Sequence, residues 1–425
     1  MRGALMPKGK VLAWVLYDWA TSGYGAIVGT FVFSVYFTQE VWDGDGGTEA
    51  WGIMVTVTSI FVGLVGALLG LVLNGVRTHR FVLALFVLVG GISGATLILI
   101  KPDPSFAIPA LVLVGVGSFC VETSFVPYNT LLRVFVPPER AGRTSALAWG
   151  LGYVGGVMCL GIAVGLMMSG LIPDDNLLNV RITSLLAAGW LLVFGLPIVI
   201  ALYRLPRASL NQPGYASVGL TKERVLSLLT YRGMWKFLLS RLFLAEGLTA
   251  LFAFGGIFAA SIYGFSTEEV LFFAIALNIS AGIGAIPGGF LDDRLGPRFV
   301  ILVSLICLIL SGIVIGLVDH KLTFWIVSIF LGMFIGPVQS SGRSLAAKSV
   351  QKDEAAQLYG LLGFSGRVVS FAGPLLVTLG IAITGTDKII VWIVVALMTA
   401  ALFVMLTTPK SLGEIDKSKI SGETY

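Results

Sequence analysis

The sequence predicts an all-α membrane protein whose twelve transmembrane helices form two similar six-helix halves. Three observations lead to this fold class. The chain of 425 residues is 56% hydrophobic and only 12% charged, with a mean hydropathy of +0.93, whereas soluble proteins carry about 25% charged residues. Its second half repeats motifs of its first half, and its basic residues are concentrated in every second connection.

Hydropathy divides the chain into twelve apolar segments, each long enough to cross a bilayer, which takes about 20 residues. The predicted spans are 11–37, 50–73, 81–100, 106–134, 142–168, 183–203, 235–263, 268–291, 298–317, 321–347, 355–384 and 387–407. The longest connection is polar and contains Pro206 and Pro213, so we expect a linker there. The expected domains are a first half over 1–203, a cytoplasmic linker over 204–234, a second half over 235–410 and a cytoplasmic tail over 411–425.

An internal repeat relates the two halves. Pro127 is followed six residues later by Arg133, and Pro337 is followed six residues later by Arg343. The two copies are about 210 residues apart, which is half the chain. Such a repeat in an apolar chain is typical of secondary transporters, which bind a substrate between their halves.

The basic residues give the predicted orientation. Of the 28 Lys and Arg residues, 22 lie on the side of the N-terminus and four lie in loops on the other side. By the positive-inside rule, both termini are expected in the cytoplasm. The net charge of +5 follows from this topology, so it does not predict nucleic-acid binding.

The sequence lacks the motifs that an enzyme or an ATP-driven pump would need. The three cysteines lie in apolar segments, the two histidines lie in predicted loops, and no cluster has metal-ligand spacing. No phosphate-binding loop or dinucleotide glycine motif occurs. We therefore expect no catalytic residues, no cofactor and no metal.

One loop motif resembles the major facilitator superfamily. Residues 288–298 read GGFLDDRLGPR, and the spacing of Gly289, Asp293, Arg294 and Gly296 matches the loop between the second and third helices of each superfamily half. In the first-half counterpart, Asn74 stands at the position of the aspartate. The resemblance implies a cytoplasmic gate of charged residues, weaker in the first half. The further gate candidates are Arg133, Glu139, Arg343 and Glu354.

Within this gate we expect Arg343 at ion-pair distance from Asp293 or Glu354. A carboxylate can accept charge-assisted bonds from an arginine and from backbone N–H groups at a helix end. The alternative is that these residues only set the topology and are solvated in the loops.

Three helices resemble the vacuolar-effluxer-like branch of the superfamily, which includes an autophagy-related amino-acid effluxer and many bacterial homologues. The matching segments are LYDWATSGYG at 16–25, FLLSRLFLAEGLTALFAFGGIFA at 237–259 and GLLGFSGRVVSFAGPLL at 360–376. The branch usually has an aspartate where this chain has Glu246, and small residues or lysine where it has Arg367. The resemblance implies a transporter in a bacterial plasma membrane.

Five charged residues lie within predicted spans, where a charge facing lipid costs at least a few kcal/mol. They are Asp18, Glu122, Arg241, Glu246 and Arg367. We expect Glu246, Asp18 and Arg367 to face a central cavity, although each charge could instead serve helix packing or neutralise a neighbour. The remaining candidates for the substrate or proton site are Tyr17, Tyr24, Tyr128, Asn129, Asn278 and Gln339.

Charges of both signs within the membrane suit an amino acid, or an organic anion that moves with a proton. The sequence therefore predicts a monomeric secondary transporter for a small polar metabolite, working by alternating access in the lipid bilayer. Two alternatives stay open. One is a drug or lipid exporter of the same fold, with a larger apolar site. The other is a transport-inactive receptor or assembly factor, for which the departure at Asn74 is the argument.

Overall fold

A computed structural model describes residues 8–43, 47–73, 76–204, 233–265, 267–349, 358, 372–409 and 412 of the chain. In this part of the chain, eleven helices are long and apolar enough to cross a membrane, and a twelfth apolar helix is shorter. The helices are α1 (Lys8–Tyr24, continued by shorter helical segments to Val41), α2 (Gly47–Val72), α3 (Val76–Thr96), α4 (Ala107–Thr123 and Phe125–Phe135), α5 (Ala141–Met168), α6 (Thr183–Tyr203), α7 (Met234–Tyr263), α8 (Thr267–Leu295), α9 (Pro297–Leu317), α10 (Lys321–Ser349), α11 (Ala372–Thr384) and α12 (Ile389–Leu406).

These helices agree with the predicted spans to within a few residues where they are described. The described part of α11 begins at Ala372, and the first part of the predicted span 355–384 lies almost entirely outside the described residues. The predicted linker falls almost entirely outside the described residues, so the domain boundaries stay a prediction. Large apolar side chains such as Ile53, Phe61 and Phe403 are exposed on the outer surface. That arrangement is expected where the surrounding medium is lipid.

Helix α1 is less regular than the sequence predicted. It is an α-helix over Lys8–Tyr24, but it widens into π-helical turns at Gly25–Phe31 and Phe37–Val41. It therefore ends at Val41 and not near residue 37. Wide turns of this kind often occur at functional sites.

The two halves pack together mainly through α5 of the first half and α8 and α10 of the second half. Small residues allow the close approach of α5 and α8. A Cβ atom added at Gly289 would lie 2.4 Å from the Cβ of Ala146, and one added at Gly150 would lie 3.2 Å from the carbonyl oxygen of Gly282. Small residues at such interfaces are typical of membrane helices, which associate through close packing.

The helix ends define two faces of the molecule. The terminal face holds Lys8 at the start of α1 and Leu406 at the end of α12. The opposite face holds Val41 at the end of α1 and Lys321 at the start of α10. At the terminal face, Ala347 of α10 packs into an apolar cluster made otherwise of first-half residues. The halves are therefore in contact at this face.

Candidate transport cavity and gate

A cavity of about 1090 Å³ lies between the halves. Its wall is formed mainly by α1 and α5 on one side and by α7, α8, α9, α10 and α12 on the other. It extends to the opposite face, where the exposed residues Gln39 and Glu40 line its mouth. At its other end, Trp149 and Gln339 line it near the middle of their helices. The cavity is therefore accessible from one face of the protein.

The cavity wall is mostly apolar and aromatic. Its polar members are Ser22, Thr30, Tyr36, Gln39, Glu40, Trp149, Tyr153, Asn278, Ser328 and Gln339. Among the described residues of the wall, Glu40 is the charged one. Of the predicted site residues, Asn278 and Gln339 line the cavity, and Gln339 lies beside the Tyr153 hydroxyl.

The face of α5 that lines the cavity was not predicted from the sequence. Trp149 and Tyr153 are four residues apart, and the lining continues with Val157, Leu160 and Val164 along the same helix. That spacing repeats every three or four residues, so it marks one face of the helix. The pattern was present in the sequence, but an apolar face predicts packing as readily as a cavity wall.

The inner end of the cavity lies close to Arg343 of α10, whose side chain extends into the first half. Its Nη2 atom lies 2.9 Å from Oδ2 of Asp18, and the two side chains are 7% and 6% exposed. Arg343 also donates to Ser145, from Nε to the hydroxyl and from Nη2 to the carbonyl, at 2.9 Å each. Its Nη1 atom lies 3.4 Å from Oδ1 of Asn129. These bonds join the two halves through one side chain.

Three aromatic rings of the first half surround the same guanidinium. Its Cζ atom lies 4.9 Å from the ring centroid of Trp14, 5.6 Å from that of Tyr128 and 5.7 Å from that of Trp149. We call these three residues the aromatic cage. Trp14 donates from its ring nitrogen to the carbonyl of Tyr128 at 2.9 Å. Tyr17 stacks on Tyr128 with ring centroids 4.7 Å apart, so the cage is held in place by its neighbours.

A second gate contact lies closer to the terminal face. The carboxylate of Asp293 accepts from the backbone N–H groups of Gly142 at 2.9 Å and of Arg143 at 3.2 Å, and from Nε of Arg143 at 2.7 Å. These N–H groups begin α5, where a helix has unpaired donors and a partial positive charge. Next to it, the buried Asp292 accepts from Lys348 at 2.6 Å.

Arg343 does not pair with Asp293, one of its two expected partners. It pairs with Asp18 of the other half, whereas Asp293 is occupied by the start of α5 and by Lys348 at 3.5 Å. The other expected pair, with Glu354, stays a prediction. Asn74 and Glu354 lie outside the described residues, as does the side chain of Arg133.

Two other gate candidates are solvated at the terminal face. Glu139 is exposed on the turn Pro138–Arg140, and Arg294 is exposed near the end of α8. In the part of the chain that the structure describes, neither makes an ion pair or a side-chain hydrogen bond.

The placement of Glu246 also differs from the prediction. Its side chain is 2% exposed and does not line the cavity, because its face of α7 packs against α11. Its Oε2 atom accepts from the backbone N–H of Gly373 at 2.7 Å. The cavity is instead lined by Leu251, Phe252 and Gly255 of the same helix.

The other predicted site residues have separate positions. Asp18 was expected to face the cavity, but it is buried between the halves in its pair with Arg343 and is not part of the cavity wall. Arg241 packs against α10, where a Cβ atom added at Gly342 would lie 2.9 Å from Nη1. Glu122 is half-buried in α4 and is not part of the cavity wall.

Three predicted site residues are part of the gate or of helix packing. Tyr17 and Tyr128 support the gate. Tyr24 packs against α3 and α4 at Gly94 and Gly117. Arg367 lies outside the described residues.

The sequence model of the family described as "Vacuole effluxer Atg22 like" matches residues 138–418, which is more than half of the chain. The chain belongs to this family. It is 22% identical over 413 residues to the uncharacterised MFS-type transporter YxiO of Bacillus subtilis, covering 94% of each chain. It is also 22% identical over 345 residues to autophagy-related protein 22 of Eremothecium gossypii, covering 72% of this chain and 66% of the relative.

Solved structures show the same fold at low sequence identity. The proton:xylose symporter XylE superposes with a TM-score of 0.78 at 14% identity, covering 96% of this chain and 97% of that one. A bacterial homologue of the iron transporter ferroportin, in an outward-facing state, has a TM-score of 0.70 at 13% identity, covering 94% and 98%. The chain therefore has the major facilitator fold. It is a multi-pass membrane protein and a secondary transporter, not an enzyme.

Proposed function

We propose that this transporter exposes its central cavity first to one side of the membrane and then to the other, and that it carries a small amine-bearing molecule with an apolar body. The observation behind this proposal is the cavity between the halves, open at the opposite face and shut at the terminal face by the pair of Arg343 with Asp18. With the N-terminus in the cytoplasm, as the basic residues predict, this conformation is outward-open.

The cavity wall favours this class of substrate. Its apolar and aromatic surface suits an apolar body, while Asn278, Gln339 and Tyr153 offer uncharged hydrogen-bonding groups. Glu40 at the mouth attracts a positive charge. An amino acid with an apolar side chain fits these features and the amino-acid effluxer that the sequence resembles. An organic anion finds no cationic partner in the described wall.

A second candidate is an exporter of larger amphipathic compounds, as drug exporters are. The size of the cavity and its mainly apolar wall favour it. Large apolar pockets with few polar groups are typical of sites that bind drug-sized molecules.

Uptake by the purified protein in liposomes would separate these candidates. Liposomes loaded with unlabelled leucine should accumulate labelled leucine, because exchange through the cavity needs no external energy. Loading with glutamate should give little exchange. If a hydrophobic cationic dye competes and leucine does not, the second candidate is favoured. If no compound exchanges, the proposal fails.

We propose that the buried carboxylates of Asp18 and Glu246 couple transport to protons. Buried charges in transporters often carry protons. Glu246→Gln keeps the shape and an oxygen that can accept from Gly373. We expect the variant to fold and to transport with an altered pH profile. An unchanged rate and pH profile in normally folded protein would make Glu246 a structural residue.

We further propose a monomer in the bacterial plasma membrane, with both termini in the cytoplasm. Labelling of single cysteines in intact cells would test the orientation. A cysteine at Lys101, which lies between α3 and α4 at the opposite face, should react with an impermeant reagent added outside. Reaction only after the cells are opened would reverse the topology.

A further inference from the structure

The guanidinium of Arg343 sits in the first half as a bound ligand would. Every partner described above belongs to the first half: Trp14 and Asp18 of α1, Tyr128 and Asn129 of α4, and Ser145 and Trp149 of α5. The arginine itself comes from α10 of the second half. Among the described residues, the first half therefore supplies these contacts, and the second half supplies the group that fills the site, which we call the receptor.

The chemistry of this receptor selects an organic cation. Aromatic rings attract a cation within about 6 Å of their centroids, and more strongly when water is excluded. The carboxylate of Asp18 supplies the opposite charge at 2.9 Å, and the oxygens of Ser145 accept further N–H groups. A guanidinium or an ammonium group has donors only, so it matches a pocket that offers acceptors and ring faces.

The receptor also lies next to the central cavity. Trp149 contributes to both, since it lines the cavity and lies 5.7 Å from the Cζ atom of Arg343. Gly152 lines the cavity and lies against Asp18, because a Cβ atom added there would be 3.4 Å from that of Asp18. A ligand in the cavity is thus separated from the receptor by the ring of Trp149.

We propose that the aromatic cage together with Asp18 is a binding site for an organic cation carrying a guanidinium or primary ammonium group. Arg343 fills this site in the present conformation. When the halves separate at the terminal face, Arg343 leaves with the second half, and the buried carboxylate then gains from a new cationic partner. A ligand cation competes with Arg343 and thereby favours the separated state. The departure of Arg343 from the site is the one step that depends on the alternating access proposed above.

Binding to a variant with an emptied site tests the proposal without measuring transport. Arg343→Gln keeps the stem and an amide near Ser145 but removes Cζ and both terminal nitrogens. The probe is ethylguanidinium, and ethylurea is its uncharged control of similar shape. In the purified full-length variant, ethylguanidinium should raise the melting temperature saturably by about 2 °C or more. Ethylurea should not.

Three comparisons make the result specific. The wild type should show a much smaller shift, because its own arginine fills the site. Arg143→Gln removes another arginine of the same face, which pairs with Asp293 outside the cage, so it should behave like the wild type. The double variant Asp18→Asn/Arg343→Gln should lose the shift. Equal shifts in all four proteins, or none in Arg343→Gln, would overturn the proposal.

A second measurement keeps Arg343 in place, in case Arg343→Gln does not fold. Ser340 is 1% exposed at the contact between the halves, where its carbonyl accepts from the Ser145 hydroxyl at 2.9 Å. In a cysteine-free background carrying Ser340→Cys, ethylguanidinium should speed the reaction with a maleimide, and ethylurea should not. An unchanged reaction rate would mean that Arg343 only holds the halves together and that its site binds no ligand cation. Neither measurement depends on transport, so a negative result leaves the proposed function standing.

Discussion

The terminal and opposite faces of this transporter are stabilised by polar contacts of different kinds. At the terminal face, the pair of Arg343 with Asp18 crosses between the halves, and so does that of Arg143 with Asp293. The first of these pairs is almost fully buried. Breaking a buried pair leaves an uncompensated charge, which is costly.

At the opposite face, the described ion pairs stay within the second half. Lys321 pairs with Glu269, and Lys388 pairs with Asp319, both at 2.6–2.7 Å. Their side chains are 39–75% exposed, and exposed pairs contribute about 0–1 kcal/mol. Charge-assisted bonds between the halves therefore stabilise the closed gate, whereas the described ion pairs at the other face do not hold the halves together. Substitutions at the two faces should therefore differ greatly in effect.

The largest effect is expected for Asp18→Asn. It removes the charge that balances the buried Arg343, at a cost of about 3–5 kcal/mol. We expect a clear fall in the melting temperature and a gate that opens more readily. The melting temperature of the double variant Asp18→Asn/Arg343→Gln should fall by less than the sum of the falls in the two single variants, since the two substitutions remove the same interaction. Additive losses would show that the two residues act separately.

Gly289→Ala should also weaken the closed gate, through packing and not through charge. The added Cβ would lie 2.4 Å from the Cβ of Ala146 and 2.9 Å from the Cα of Arg143, so α5 and α8 must move apart. Overpacking of this kind typically costs about 1–3 kcal/mol. Gly255→Ala on α7 is the matched control, because nothing lies within 4 Å of its added Cβ. Equal melting temperatures for the two variants would contradict the described packing.

Asp293→Asn should have a smaller effect. The amide oxygen can still accept from one N–H group at the start of α5, but the charge that attracts Arg143 is lost. Arg143 is 48% exposed, so the loss should be about 1 kcal/mol. A cysteine at Ser340 should react with a maleimide faster in this variant than in its parent. A rate equal to that of the parent would show that Asp293 does not hold the halves together.

The smallest effect is expected for Lys388→Ala at the opposite face. Its pair with Asp319 is exposed and lies within one half. The free energy of unfolding should change by less than about 1 kcal/mol, and the reactivity of the cysteine at Ser340 should stay the same. If Lys388→Ala raised the reactivity of the cysteine at Ser340 as much as Asp293→Asn does, the two faces would not differ in how they hold the halves together.

The sequence predicted the fold well because its signals are strong and local. The twelve apolar segments, the repeat of Pro127 and Pro337, and the loop around Asp293 each depend on short stretches of chain. The need to satisfy every backbone group in lipid then leaves few structures other than a helix bundle. Even so, the π-helical turns that end α1 at Val41 were not predicted, because helical periodicity does not distinguish a wide turn from a regular one.

The predicted site was less accurate for a physical reason. A charge within a predicted span must avoid lipid, but that rule does not say which neighbour it meets. Glu246 meets the backbone of α11 and not the cavity. Asn278 and Gln339 do line the cavity, and the aromatic residues of α5 join them there.

The sequence is sufficient to predict a membrane transporter with two similar halves, because hydropathy gives the number of helices that cross the bilayer and the repeat relates them. Which charges meet depends on the tertiary structure. Arg343 and Asp18 are 325 residues apart in the chain and 2.9 Å apart in space. Their pairing depends on how α10 of one half packs against α1, α4 and α5 of the other, and long-range packing of that kind leaves no local pattern in the sequence.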